Sequence, residues 1–423
     1  MSSPAVSRTV LLIATLDTKG AEVAYVRDLV ERAGYRAMVL DAGVLWDPPF
    51  PPDIAAHAVA EAGGGTLQAL RVQGNRSSAL DVMARGATAI VSELHRAGSI
   101  DAVLGLGGSC GTAIASAAMR ALPIGVPKVM VSTVASGQVA PYVGVTDMTM
   151  MYPVVDIAGL NRISRQVLTN AAGAVCGMLS QRRPDAVDRP IIAATMFGVT
   201  TPCVERIRER CEASGFEVVV FHANGSGGRA MEELIRAGFI AGVADVTTTE
   251  WADELVGGTL SAGPTRLDAA IETATPQVVS VGALDMVNFG PRDTVPNRFR
   301  HRQLYAHTPS VTLMRTTPAE CVALGTTIAH KLNAAVAPTT VFLPLRGVSA
   351  IDRAAQPFAD RAADAALFDA IRRELAPSVA CVELDLHIND PEFADAMANR
   401  LLHDVRRHVA SHASQQTHAI HSS

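Results

Sequence analysis

The chain has 423 residues, 48% of them apolar but only 4% aromatic, and a formal net charge of −5. That length allows two or three domains with large cores, and the Ala-, Val- and Gly-rich apolar content suits α/β layers. The acidic balance argues against nucleic acid as a bulk electrostatic partner. No apolar run reaches the roughly 18 residues a membrane span needs, and the N-terminus lacks the apolar core of a signal peptide. The six cysteines are scattered, with no Cys-x-x-Cys pair, and read as reduced thiols, so a cytoplasmic location is expected.

The first half alternates strand and helix. Residues 10–14 read as a buried strand, 21–33 as an amphipathic helix closed by Gly34, and 36–40 as the next strand. The proline-rich stretch 46–53 and the glycine triplet 63–65 are loops. A long helix is expected over 79–97, then a short strand over 102–104 that runs into Gly-Leu-Gly-Gly-Ser-Cys-Gly-Thr (105–112) and a small-residue helix over 113–120. A strand over 128–132 ends at Thr-Val-Ala-Ser-Gly-Gln (133–138), and a helix is expected over 157–180. The charged stretch 181–189 contains Pro184 and separates two domains, 1–183 and 184–408. The His- and Ser-rich residues 409–423 read as a disordered tail.

After the boundary the pattern restarts. Arg-Pro-Ile-Ile-Ala-Ala-Thr (189–195) resembles Thr-Val-Leu-Leu-Ile-Ala-Thr (9–15), and Glu-Ala-Ser-Gly-Phe-Glu (212–217) matches Glu-Arg-Ala-Gly-Tyr-Arg (31–36). Strands are expected over 218–221, 241–246, 277–281, 339–343 and 379–384, with helices over 202–213 and 230–237. The expected class is α/β: two Rossmann-like, doubly wound, mostly parallel sheets with a cleft between them.

The 105–112 turn carries the strongest functional signal. Glycines let a ligand approach bare backbone N–H groups, and a helix start adds unsatisfied donors and a positive dipole end. Such turns bind anions, most often phosphate. Gly107, Gly108 and Gly111 would donate backbone N–H groups, and Ser109, Thr112, Thr133 and Ser136, beside Gly137, would add hydroxyls. Asp-Thr-Lys-Gly (17–20) follows the first strand, so Asp17 or Thr18 could cap its helix and Lys19 could meet a phosphate. Asp147 is the candidate for magnesium.

Polar residues also gather at strand ends in the second half. His222, Asn224, Gly227, Glu250, Arg315, Arg346 and Asn389 are candidates for a second ligand. Asp285, Asn288 and His387 are the candidate catalytic groups.

Six motifs together resemble the ATP-binding domain family named after the tomato mosaic virus resistance protein (Tm-one-like). They are Ala-Thr-Leu-Asp-Thr-Lys-Gly (14–20), the 105–112 turn, Pro-Lys-Val-Met-Val-Ser-Thr-Val-Ala-Ser-Gly (127–137), Asp-Ile-Ala-Gly-Leu-Asn-Arg-Ile-Ser (156–164), Val-Gly-Ala-Leu-Asp-Met-Val-Asn-Phe-Gly (281–290) and Pro-Leu-Arg-Gly-Val-Ser (344–349). The resemblance runs to about residue 405. Cys110 and Gln138 depart from it, where glycine and an acidic residue are expected. It implies an N-terminal ATP site, a second α/β subdomain and a homo-oligomer, but no reaction. The expectations are therefore a cytosolic nucleotide-binding protein with ATP as cofactor, Mg2+ alongside it, and a small second ligand. Two alternatives stand: an ATP-dependent phosphotransferase, ligase or hydrolase, and a non-catalytic ATP-regulated oligomeric module.

Overall fold

Strands made almost wholly of apolar and small residues build the first sheet of the computed structural model, which describes residues 8–181 and 189–420, with side chains in the last helix as far as residue 410. The chain divides into two compact units, 1–185 and 186–423. The boundary expected at 183/184 lies outside the described residues.

The first unit runs β1 (Thr9–Ala14), α1 (Leu16–Arg32), β2 (Arg36–Asp41), α2 (Ala56–Ala62), α3 (Leu67–Gln73), α4 (Arg76–Arg96), β3 (Ala102–Gly107), α5 (Ser109–Arg120), β4 (Lys128–Ser132), α6 (Ala140–Val143), β5 (Thr149–Met151) and α7 (Arg162–Ser180). The strands lie in the order β2-β1-β3-β4-β5, all parallel. Side chains alternate across the pleat. Leu11 and Ile13 of β1 pack with residues of α2, α4 and α5, whereas Val10, Leu12 and Ala14 pack with α1 and α7. A sheet covered on both faces needs this near-continuous apolar run.

The second unit runs β6 (Ile191–Met196), α8 (Thr201–Ala213), β7 (Glu217–His222), α9 (Ser226–Arg236), β8 (Ile240–Thr247), α10 (Glu250–Val256), α11 (Ala269–Glu272), β9 (Gln277–Gly282), β10 (Met286–Phe289), β11 (Leu304–Thr308), β12 (Val311–Arg315), α12 (Pro318–Leu332), β13 (Thr339–Pro344), α13 (Arg361–Glu374), β14 (Ala380–Leu384) and α14 (Pro391–Ile420). Its main sheet has the order β14-β13-β9-β8-β6-β7, again parallel. Read from β7, the first five strands repeat the order of the first sheet. The internal similarity seen over one strand–helix–strand unit therefore extends through the topology of both sheets.

Four details differ from the sequence reading. Helices α1, α5 and α9 begin four or five residues earlier than expected, at Leu16, Ser109 and Ser226, because glycine and polar residues continue the first helical turn. Helix α7 begins later, at Arg162, where Asn161 and Ser164 form a reciprocal capping box. A small antiparallel sheet, β10-β12-β11, was not foreseen; its four- and five-residue strands carry too little alternation to stand out. The stretch read as a disordered tail is helical to Ile420, since Ala and Gln there bring no helix breaker. No described helix is long and apolar enough to cross a membrane.

Candidate functional site

In the first sheet β1 lies between β2 and β3, so successive connections leave it in opposite directions. Open α/β sheets bind ligands at such a switch point, outside the carboxyl ends of the strands. A cavity of about 410 Å³ opens there. Thr15, Asp17 and Thr18 line it from the end of β1, Ala42, Val44 and Leu45 from the segment after β2, and Cys110 and Ile114 from α5. Leu70, Ala79, Leu80 and Met83 make its wall apolar, and Arg71, Asn75 and Arg76 bring polar groups to it. The volume falls within the roughly 300–1,000 Å³ typical of small-molecule sites.

Helix α5 starts at this cavity. Gly108 is its N-cap and offers no side chain, and the N–H of Thr112 already bonds the Gly108 carbonyl at 2.8 Å. Among the described residues, the N–H groups of Ser109, Cys110 and Gly111 have no protein acceptor. The turn is tight because Gly107 has no side chain: a Cβ there would lie 2.7 Å from Gly111 Cα. Gly108 is different, since a Cβ would meet only Thr133 Oγ1, at 3.7 Å. The exposed Arg76 places Nε 3.1 Å from Cys110 Sγ, so a guanidinium stands at the helix start. Sequence reasoning missed Arg76, Arg71 and the apolar wall; Asn75 capping α4 was the available signal, because it fixes Arg76 as the first helical residue.

The structure brings Asp17, Thr18 and Cys110 of the glycine turn to one cavity, whose lining does not include Gly107, Gly108, Ser109 or Gly111, and sets Thr133 beside Gly108. Asp17 does not cap α1. Its Oδ2 accepts the Leu45 N–H at 2.9 Å, while the Leu16 N–H goes to the buried Asp41. Burial pushes the Asp41 carboxyl above its ordinary range, against two backbone N–H bonds that pull it down. Asp17 Oδ1 is buried without a hydrogen-bond partner.

Other expectations are corrected. Lys19 adopts non-helical backbone angles and donates its amine to the Ile157 carbonyl, so it is tied away from the α5 turn. Thr112 is fully buried, its hydroxyl bonded to Ser132 Oγ at 2.6 Å. Ser136 and Gly137 are exposed in a turn of their own, with the Gly137 N–H on the Val134 carbonyl. Asp147 lies at the other end of the sheet, where it pairs with the buried Lys128 that opens β4, Oδ1 to Nζ at 2.6 Å. It neutralises that lysine, whose pKa burial lowers, and is no magnesium ligand for the glycine turn.

The polar residues of the second unit are mostly spent on structure. Glu250 is buried, and its Oε1 accepts the N–H groups of Gly225 and Gly228 at 2.6 and 3.1 Å. Its Oε2 takes Arg266 Nε at 2.7 Å, and Arg266 also grips Asp245 with both terminal nitrogens. The α9 turn is thus filled by the chain's own carboxylate. Asn224 closes the same turn onto Gly227 N–H, and a Cβ on Gly227 would collide with the His222 carbonyl. His222 is exposed and stacks on Phe197.

Asn288 is not at a strand end but inside β10, where it bonds Asp253 through both backbone and side chain. Burial raises Asp253 to about 7. His387 places Nε2 2.8 Å from the Ser349 carbonyl, and Nδ1 accepts the Asn389 N–H. These partners fix the neutral Nε2–H tautomer, and burial lowers its pKa, which suits a structural linker better than an acid. Asn389 donates to the Val199 carbonyl. Arg346 forms an exposed pair with Asp385. Asp285 accepts Ser349 Oγ at 2.7 Å, and Arg315 bonds Asp364 at 2.7 Å. Val199, Ala283, Met286, Leu313 and Phe358 pack together beside them as an apolar cluster.

Fold and site together define a two-unit α/β protein with an open switch-point pocket in its first unit. The chain belongs to the uncharacterised protein family UPF0261: the family's N-terminal domain matches residues 8–184 and its C-terminal domain residues 189–405. A UPF0261 protein of Clostridium tetani is 49% identical over 95% of this chain and 100% of its own length. The ToMV resistance protein Tm-1(GCR237) of Solanum lycopersicum is 40% identical over 94% of this chain and 56% of its own length. A solved Streptomyces glycosyltransferase, SsfS6, aligns over 64% of this chain and 81% of its own at 15% identity, with a TM-score of 0.18, too low to bear on the reading.

Proposed function

We propose that the first unit binds a nucleotide, ATP being the reference ligand. The carrying observation is the junction of two features at one switch point: three unpartnered N–H groups at the start of α5, and a cavity of about 410 Å³ with an apolar wall. Phosphates would sit against the α5 turn, where the helix dipole and the N–H groups favour anions. Arg76 would add a charged donor that Lys19 does not supply. The heterocycle would lie among Val44, Leu70, Leu80, Met83 and Ile114. Among the described residues no group of three or more metal-ligating side chains is gathered for a metal ion. Magnesium would therefore arrive with the triphosphate and be held mainly by it and by water.

The reading is a binding function, in which any reaction would depend on a second ligand. Calorimetric titration of ATP into the full chain, with and without magnesium, tests it. Saturation near one site per chain in the wild type, lost in Gly108→Val, is the expected result. A Cβ there meets only Thr133 Oγ1, at 3.7 Å, and the valine methyls would shield the N–H groups. No heat at millimolar ATP, or equal binding by Gly108→Val, would overturn it.

A further inference from the structure

The segment 348–360, between β13 and α13, is tied to the second unit at several points, and one buried guanidinium stands at the centre of them. Arg315 Nε donates to the Phe358 carbonyl at 2.8 Å, and Nη2 to Asp364 Oδ1 at 2.7 Å, with Asp352 Oδ1 3.5 Å away. Asp352 also folds the segment on itself by accepting the Val348 N–H at 2.9 Å. Ser349 of the segment donates to Asp285. Phe358 is fully buried, and Ala355 holds a φ of 67° that side chains rarely adopt. The segment is thus an ordered strap, tied by this charge centre and also by the Ala350 N–H on Val199, the Val348 carbonyl on Ala283 N–H and His387 on the Ser349 carbonyl.

That centre is unbalanced. Asp285, Asp352 and Asp364 are each at most 3% exposed, and Arg315 is the one guanidinium among them at comparable depth. Asp285 Oδ1, Asp352 Oδ1 and Asp364 Oδ2 lack hydrogen-bond partners. Three buried carboxylates facing one cation cannot all be charged cheaply. A proton among them would reduce the repulsion and provide a donor for an orphaned oxygen. The other groups facing the centre do not supply the missing charge. Arg361 reaches Asp364 only at 3.8 Å and is exposed, Arg353 is engaged with Asp390 and His387, the Asp360 carboxylate caps α13, and Cys321 is a buried thiol beside Thr316.

We propose that this cluster is a proton-operated latch: a proton shared by Asp285, Asp352 and Asp364 keeps the 348–360 strap closed on Arg315, and its loss lets the strap lift. The direction of the titrations agrees. Burial raises all three carboxyls, and the charges of Asp285 on Asp352 and of Asp352 on Asp364 raise them further, Asp364 to about 7. With the strap lifted, Asp352 on it and the uncovered Asp285 and Asp364 beneath it would be solvated and titrate at about 4. The closed state therefore binds more protons than the open one between those values. Closure is favoured at low pH, weakens as pH rises from about 4 to about 7, and levels off above.

Amide hydrogen exchange of the full chain, followed by mass spectrometry and corrected for the intrinsic pH dependence of exchange, reads the latch. Peptides covering 348–360 should open about tenfold or more often at about pH 7.5 than at about pH 5, while β6 peptides stay constant. Asp352→Asn keeps the acceptor for Val348 and should flatten that dependence; Asp385→Asn, at an exposed pair, should not. Wild-type protection independent of pH, or full pH dependence retained in Asp352→Asn, would overturn the latch. If Asp352→Asn does not fold, Asp364→Asn takes its place with the same two outcomes.

Discussion

The two sheets share a strand order, yet their switch points are built in opposite ways. In the first unit the turn after the third strand opens α5 with Ser109, and Cys110 of its first turn lines a cavity. In the second unit the corresponding helix, α10, opens with Glu250, whose carboxylate reaches the α9 turn and takes the Gly225 and Gly228 N–H groups. One turn leaves its N–H groups without a protein acceptor; the other gives them a carboxylate, backed by Arg266. The contrast is between a glycine-rich turn whose N–H groups the protein leaves unpartnered and one whose N–H groups its own carboxylate takes.

The largest expected effect comes from breaking the filled crevice. Arg266→Met removes the cation that serves Asp245, Glu250 and Glu232, all buried. Leaving such charges unpaired costs about 3–5 kcal/mol. Chemical denaturation should show that loss in the second unit, while nucleotide binding by the first persists if the chain still folds. A loss below about 1 kcal/mol would mean that the network is not what holds the second crevice closed.

Next in size is the packing of the open turn. A side chain on Gly107 would meet Gly111 backbone atoms at 2.7 and 2.8 Å, so β3 and α5 must move apart. Gly107→Val should cost about 1–3 kcal/mol and abolish binding, whereas Gly108→Val should abolish binding alone. Equal stability for the two variants would show that the close approach of strand and helix is not needed.

Much of this architecture was legible in the sequence. Long apolar runs such as Thr9–Ala14 announce buried strands, and glycines 107, 108 and 111 announce the turn after β3. Roles set by distant partners were not. Nothing near Glu250 reveals that Gly228 and Arg266 converge on it, and nothing near Thr112 reveals the Ser132 hydroxyl. Arg76 was passed over because it sits in a polar loop-to-helix junction, 34 positions from the cysteine it touches. Strand-end polarity marks an edge of the second sheet, but it does not distinguish groups open to a ligand from groups bonded to one another, as Glu250, Gly225 and Gly228 are.

A smaller effect should follow from Arg76→Ala. The side chain is exposed, so stability should stay within about 0.5 kcal/mol of the wild type. A charge-assisted bond to phosphate is worth about 1.5–3 kcal/mol, so ATP affinity should fall about tenfold or more. Adenosine affinity should hardly change. A matching loss for adenosine would move Arg76 from the phosphate end to the apolar end of the pocket.

The smallest effect is expected at Lys19, the cation that sequence spacing favours for a phosphate. Its amine is bound to the Ile157 carbonyl, so Lys19→Ala should remove one side chain-to-backbone bond and cost about 1 kcal/mol of stability. ATP and adenosine should weaken by the same small factor, because no phosphate contact is lost. The ratio of the two affinities, measured by competition on the same preparation, isolates that point from any change in folding. A selective loss of ATP would show that the amine leaves Ile157 when the nucleotide arrives. The first unit's open crevice would then draw its positive charge from both Arg76 and Lys19, just as the second unit's filled crevice draws its charge from within the chain.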